Sequence, residues 1–387
     1  FNPRIIKAFH TALKTSELSP ITVLAGVSGT GKSELPRLYS HFGGFYFEPL
    51  AVQPNWDSQE SMLGFYNSID NKFDAQPALK FLAQSQREWV EGAGQETYPG
   101  LNTAMSIVLL DEMNLAHPEL YFAEFLSKLE LRRGKEDVPS LNVKLGAGVD
   151  PYELPLGRNV LWAGTMNQDE TTKSLSDKVL DRSIIIHFPR PKSLASRGTS
   201  DNIYDKNEVH KLHRKQWEDW VKKGSHFNDE PGHQRIKPYK DFLEKINEAM
   251  SHAGRAVGHR VWQSVESYLS NHPDVQECIR KNDKDKLAEA MHSAFEDQLA
   301  QKVMPKLRGI ETRRGGANEK CLDVIRGLLG EGVHKPYNLE RDFEIASKQG
   351  YGQFMWQSAE YLSPEGAEET EFDTLGLFSQ SNSVQAE

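Results

Sequence analysis

Cysteine is nearly absent: Cys278 and Cys321 are the only two in 387 residues, and they stand far apart. That excludes a disulfide framework and a cysteine-based zinc site, and leaves both as small apolar residues in helices of a reducing cytosol. The thirteen histidines show no zinc spacing either, because His210 and His213 lack a second pair. No apolar run reaches membrane-spanning length, and no signal peptide opens the chain. A cytoplasmic protein with no membrane partner is expected. Positive charge is also short, with 46 Lys and Arg against 55 Asp and Glu and a net charge of −9. That balance argues against unspecific attachment to nucleic acid over the whole surface, while leaving room for a local basic strip. The initiator Met is missing, as in a piece of a longer polypeptide, and there is no internal repeat.

What is present is ordinary soluble composition, 38% hydrophobic and 26% charged, with length enough for two domains. One stretch stands out. "AGVSGTGKSELPRL" (25–38) has the G-x-x-x-x-G-K-S spacing of a phosphate-binding loop, with Gly26, Gly31, Lys32 and Ser33 at its fixed positions. The apolar run "ITVLA" (21–25) precedes it and the helical pattern "SELPRLYSHF" follows, which is the context such a loop needs. Gly26, Val27, Ser28, Gly29, Thr30, Gly31, Lys32, Ser33 and Glu34 form the expected nucleotide-binding set. Backbone N–H groups would wrap the β-phosphate, Lys32 would bridge the outer phosphates, and Ser33 would ligate Mg²⁺. The alternative is a Gly-rich turn with a solvated lysine.

Further along, "NPRIIKAFHTAL" has Asn2 and Pro3 as a helix start, with Ile5, Ile6, Phe9 and Leu13 on one face. "FYFEPLAV" (45–52) reads as a strand broken at Pro49, and "SIVLLDEMN" (106–114) as a buried strand ending in two acids. "PELYFAEFLSKLE" (118–130) reads as one amphipathic helix. "NVLWAGTMN" (159–167) and "SIIIHFP" (183–189) supply two more strands. Alternating strands and helices, with continuously apolar strands, predict an α/β fold with a mainly parallel sheet covered on both faces. The expected organisation is an α/β nucleotide-binding core over 1–191, a polar linker or insertion over 192–238, a helical lid over 239–363 and an acidic flexible tail over 364–387. Helical stripes in the lid are Phe242, Ile246 and Met250; Val261, Val265 and Leu269; Leu287, Met291, Ala294 and Leu299, stopping before Pro305; and Cys321, Ile325 and Leu328. Trp217, Trp220 and Trp356 read as packing rather than base-stacking platforms.

The strand ending in Asp111 and Glu112 delivers two carboxylates to the edge where ligands collect in parallel sheets. Asp111 would hold Mg²⁺ through its water shell and Glu112 would polarise the attacking water, unless both merely cap the next helix. Asn167, ending another strand at the same edge, could bond the γ-phosphate or the lytic water. Arg182 and Arg260 are candidates for neutralising developing charge, Arg182 towards a neighbouring subunit and Arg260 by closing the lid. Surface ion pairing is the ordinary alternative for both, and Arg255 and Arg158 are weaker competitors.

At these residues the chain resembles the AAA+ ATPases, and more closely their McrB-like branch, which includes motor subunits of modification-dependent restriction systems. The matching blocks are "LAGVSGTGKSEL", "VQPNWDSQESMLGFYN", "VLLDEMNLAHPELYFAEFLSKLE", "GTMNQDETTKSLSDKVLDRS" and "LAQKVMPKLRGIE". The resemblance implies a P-loop core with a five-stranded sheet, a C-terminal α-helical lid and active sites between subunits of a homo-oligomeric ring, usually a hexamer. It implies Asp111 and Glu112 as the Walker B pair, Asn167 as first sensor, Arg182 as arginine finger and Arg260 as second sensor. GTP-using members carry "MNTADRS" where this chain has "MNQDETTKS", so ATP rather than GTP is the expected substrate. The resemblance further implies an antiviral or restriction role, with a nuclease or other effector subunit as partner and DNA or RNA threading the central pore. "LRRGKE" (131–136) and "KLGAGVDPYELPLG" (144–157) are candidates for a pore-facing hairpin, or for a solvated loop. The other classes open to the chain are a protein-remodelling chaperone and a nucleotide-gated scaffold with slow turnover.

Overall fold

The structure is a computed structural model that describes residues 1–88, 100–134, 137–146, 148–168, 173–191, 210–222, 227–313, 315–316 and 318–362. In its first half, strands and helices alternate. Helix α1 (Pro3–Lys14) leads to strand β1 (Ile21–Gly26), helix α2 (Glu34–Gly43) and strand β2 (Tyr46–Ala51). Helix α3 (Gln59–Leu63), the hairpin β3 (Gly64–Asn67) and β4 (Lys72–Ala75), and α4 (Pro77–Ser85) come next. Strand β5 (Ser106–Asp111) is followed by α5 (Pro118–Tyr121), α6 (Ala123–Glu130) and a second hairpin, β6 (Ser140–Val143) with β7 (Tyr152–Pro155). Strand β8 (Val160–Asn167), α7 (Asp177–Arg182) and β9 (Ser183–His187) complete this half. The remainder is helical: α8 (Arg214–Trp220), α9 (Glu230–Ser251), α10 (His259–Asn271), α11 (Pro273–Lys281), α12 (Lys284–Gln298), α13 (Asp323–Glu331) and α14 (Leu339–Gln349).

The fold is α/β. Five strands form one sheet in the order β2-β5-β8-β1-β9, and every pairing in it is parallel. Burial on both faces explains the unbroken apolar runs. Side chains alternate across the pleat: Leu24, Ile107, Leu109, Leu161 and Ile186 enter one core, while Val23, Val108, Leu110, Trp162 and Ile185 enter the other. The first core also takes in α1 and the C-terminal helices, so the helical region packs as one apolar body with that face of the sheet. The second is closed by α4, α6 and the β6–β7 hairpin.

Helix α1 is tied to the helical region by buried charge. Arg4 meets Glu296 and Asp297, each at 2.8 Å, and both carboxylates are almost fully buried. Burial raises Asp297 to about 6 despite the nearby Arg4. Asn2 caps α1 by accepting from Arg4 N, and its Nδ2 donates to Leu362 O at 2.6 Å.

Several local expectations are corrected. Pro49 does not break β2, because β2 is an edge strand, where a missing N–H need not cost a ladder bond. The helix expected over 118–130 is two pieces, α5 and α6, joined at Phe122 with φ −118° and ψ 0°. Helical structure begins well before 239: α9 starts at Glu230, is capped by Asp229 and carries Pro238 inside it. The Leu287 stripe does not stop before Pro305 but runs on through a π-helical turn, Leu299–Val303, and a 3₁₀ turn, Met304–Leu307. Ile6 is exposed although Ile5, Phe9 and Leu13 are buried. Of the hairpin candidates, 144–157 contributes the return strand β7, paired with β6 rather than with 131–136. Arg132 instead turns inward and donates to Leu156 O at 2.9 Å. Trp217 and Trp356 are buried in the first core, whereas Trp220 is exposed. The tail over 364–387 and residues 169–172 of the "MNQDETTKS" segment lie outside the described residues.

Candidate active site

Strand order assembles the site. Strands β5, β8 and β1 are neighbours, so their carboxyl ends bring Asp111, Asn167 and Gly26 to one edge. Gly26 pairs in register with Asn167, and Gln168 N donates to Gly26 O at 3.3 Å. The loop then turns through Gly29 (φ 81°) and Gly31 (φ 87°), a backbone region that side chains resist. A Cβ on Gly31 would also stand 2.9 Å from the Phe1 ring. Lys32 is buried and its Nζ donates to Val27 O at 2.6 Å; Thr30 Oγ1 donates to the same carbonyl at 2.9 Å. Ser33 occupies the N-cap of α2 but makes no capping bond with its side chain. Its Oγ donates instead to Asp111 Oδ1 at 2.7 Å.

The two acids are held differently. Asp111 Oδ1 accepts a second bond, from Thr165 Oγ1 at 2.5 Å. Glu112 follows with φ 53°, a left-handed conformation uncommon outside glycine and typical of strained functional turns. Its N–H donates to Thr165 Oγ1 at 2.8 Å, and Met113 N donates to Thr165 O at 2.8 Å. Asn167 Nδ2 donates to Glu112 Oε1 at 3.0 Å. Beneath, buried Asn114 donates to Asn167 O at 2.9 Å and Lys173 O at 3.3 Å. Ser33, Asp111, Thr165, Glu112, Asn167 and Asn114 thus form one connected network beside the glycine loop.

Chemically, the arrangement presents two hard oxygens in contact, a second carboxylate a residue away, and a neutral amide bonded to that carboxylate. Mg²⁺ is suited by one or two carboxylates, a hydroxyl, water and substrate phosphate, so Ser33 and Asp111 fit it. Among the described residues no group of three or more His, Cys, Asp or Glu could hold another metal.

The two arginines are elsewhere. Arg182 Nη2 pairs with Glu130 Oε2 at 2.8 Å, and its side chain is 15% exposed. Arg260 Nη1 pairs with the other oxygen of the same carboxylate at 2.5 Å. Arg260 stands in the first turn of α10, and here it meets Glu130 at the end of α6 rather than the glycine loop. Arg255 pairs with Asp177 at 3.2 Å and Arg158 with Glu17 at 2.6 Å. The arginine of the helical region that lies near Asn167 is Arg308, in a cavity of about 390 Å³ that also takes in His187 and Trp356. Burial alone lowers His187 to about 4.

Sequence reasoning missed Thr165, Asn114 and Arg308. Thr165 stands two residues before Asn167 in "GTMN", so the period of a strand already places both on one face. Nothing local marks Asn114 or Arg308.

A family model described as a domain of unknown function (DUF8727) matches residues 209–351, the helical part of the chain. No curated protein matches. Among solved structures, the chain is similar to a candidate ATPase from Cytophaga hutchinsonii, with 13% identity, 76% of this chain and 84% of that chain covered, and a TM-score of 0.40. That likeness is too distant to carry function across. No helix among the described residues is long and apolar enough to cross a membrane.

Proposed function

We propose that this chain is a Mg²⁺-dependent nucleoside triphosphatase of the AAA+ type, with ATP as substrate. The observation that carries the reading is the bonded network in which Ser33 meets Asp111 while Asn167 meets Glu112, next to a loop with two left-handed glycines. In this reading, N–H groups of Gly29 to Ser33 take the β-phosphate, helped by the amino end of α2. Lys32 exchanges the Val27 carbonyl for the outer phosphate oxygens. Ser33 and Asp111 would hold Mg²⁺, which would offset charge on the phosphates. Glu112 accepts a hydrogen bond from the attacking water and Asn167 holds that carboxylate in place.

The arginine that would neutralise charge on the γ-phosphate is absent from this network. Arg182 on Glu130, away from the loop, fits delivery to a neighbouring copy, so a homo-oligomeric ring such as a hexamer is part of the proposal. The finer reading, an McrB-like motor serving a nuclease or other effector on DNA or RNA, rests on the quoted sequence blocks. One observation favours the protein-remodelling alternative: the β3–β4 hairpin carries Ile69 at its turn, 92% exposed, an apolar side chain suited to touching peptide.

The decisive experiment measures ATP hydrolysis and nucleotide binding for the parent and Glu112→Gln. Parent turnover that needs Mg²⁺, with a loss of at least about 100-fold in Glu112→Gln and binding retained, supports the assignment. Equal turnover in both would overturn it. Stimulation by single-stranded DNA or RNA favours the nucleic-acid motor; stimulation by unfolded protein favours remodelling.

A further inference from the structure

A second cavity lies at the opposite edge of the sheet from the glycine loop. It opens where the residues after α1 lead into β1 and where Arg158 leads into β8, so it faces the amino ends of those strands. Its volume, about 500 Å³, is that of a small-molecule site. Leu18, Trp217 and Val221 give it apolar wall. Set into that wall are two cations, Lys14 and Arg132, each 4% exposed.

Neither cation has a carboxylate partner among the described residues. Lys14 Nζ donates to Asn271 O at 3.4 Å and Gln276 Oε1 at 3.2 Å, both neutral. Arg132 Nε donates to Leu156 O at 2.9 Å, while its Nη2 is buried and meets no acceptor. The acids around the cavity are largely engaged: Glu17 pairs with Arg158 at 2.6 Å and Glu218 with Arg214 at 2.8 Å. Among the described lining residues that leaves Glu266 against Lys14, Arg132, Arg133 and Lys222. Burial, reinforced by Lys222, lowers Lys14 to about 8; burial, reinforced by Arg158 and only partly offset by Glu17, lowers Arg132 to about 9. Burying a cation is costly unless an anion stands beside it, and both of these side chains border an open cavity.

We propose that this cavity is a ligand site separate from the phosphate loop, taking a small organic anion whose acidic group is drawn by the cations of its wall, Lys14 and Arg132, and whose planar apolar body rests on Trp217. The aromatic sulfonate 8-anilinonaphthalene-1-sulfonate tests it by titration into the full chain, with probe fluorescence and tryptophan quenching as readouts. One saturable site is expected, weakened at least tenfold by Arg132→Met and by Lys14→Met, and unchanged in Lys32→Ala. Gln263→Trp, which fills the cavity from the exposed face of α10, should abolish binding without touching a cation. Unaltered affinity in Arg132→Met and Gln263→Trp, or loss of binding in Lys32→Ala, would each overturn the proposal. None of these readouts depends on nucleotide turnover.

Discussion

Replacing Thr165 by Val isolates one hydroxyl at the centre of the proposed chemistry. Thr165 is 1% exposed on β8, and Val keeps its branched shape and strand preference, so packing changes little. Two bonds disappear: the donation to Asp111 Oδ1 at 2.5 Å and the acceptance from Glu112 N at 2.8 Å. An unsatisfied buried N–H costs about 1–3 kcal/mol, and a bond to a charged group contributes about 1.5–3 kcal/mol. The two add to about 2.5–6 kcal/mol, and because Asp111 keeps Ser33 and the Glu112 N–H is only part-buried, a loss near the low end of that range is expected. The left-handed turn at Glu112 loses an anchor at the same time, and every 1.4 kcal/mol of lost transition-state placement is about tenfold in rate. We expect kcat for ATP to fall about 10- to 100-fold in Thr165→Val, with Thr165→Ser staying within about threefold because it keeps both bonds. Steady-state ATPase assays run beside urea unfolding separate the two effects. A folded Thr165→Val protein with kcat within about twofold of the parent would refute the role given to this hydroxyl.

Other outcomes follow from the same geometry. Arg308→Ala should weaken ATP binding more than Arg260→Ala, measured by titration of isolated chain, because Arg308 and not Arg260 lies near Asn167. Arg4→Met leaves Glu296 and Asp297 buried without their cation and should cost about 3–5 kcal/mol in urea unfolding; a change below about 1 kcal/mol would show that the pair is solvated. Burial holds His187, His272 and His292 at about 4, below the ordinary 6.5. A depressed folded value means that the stability from the neutral rings is present above pH 6.5 and is lost as pH falls towards 4. At pH 5 the fully buried His187 ring alone costs about 2 kcal/mol, from about 1.5 pH steps at 1.36 kcal/mol each. The urea midpoint should therefore drop steeply between pH 7 and 5, and a flat profile would contradict the burial of these rings.

Much of the candidate site at the sheet's carboxyl edge was legible because its signals are local. A bare loop between an apolar run and a helix, and an apolar run ending in Asp111 and Glu112, are patterns within a few adjacent residues. Where local rules failed, position in the fold had overridden them. Pro49 stays in a strand because that strand is at an edge, and Phe122 interrupts a pattern that looks continuously helical. The periodicity over 284–307 could not show that the helix would pass through a π turn and carry on to Leu307.

The chain's sequence by itself determined which segments become buried parallel strands and where a bare turn and two carboxylates lie, since backbone preference and apolar periodicity act between near neighbours. Tertiary structure decided which of those ends meet. Ser33 and Asp111 are 78 residues apart and Thr165 and Asp111 54, and they touch because β5, β8 and β1 are neighbours in the sheet. The same long-range packing put Arg182 and Arg260 on one carboxylate, set Arg308 and Asn167 on the wall of one cavity, and buried Lys14 and Arg132 in the wall of another, because burial and pairing depend on partners that no short stretch of sequence contains.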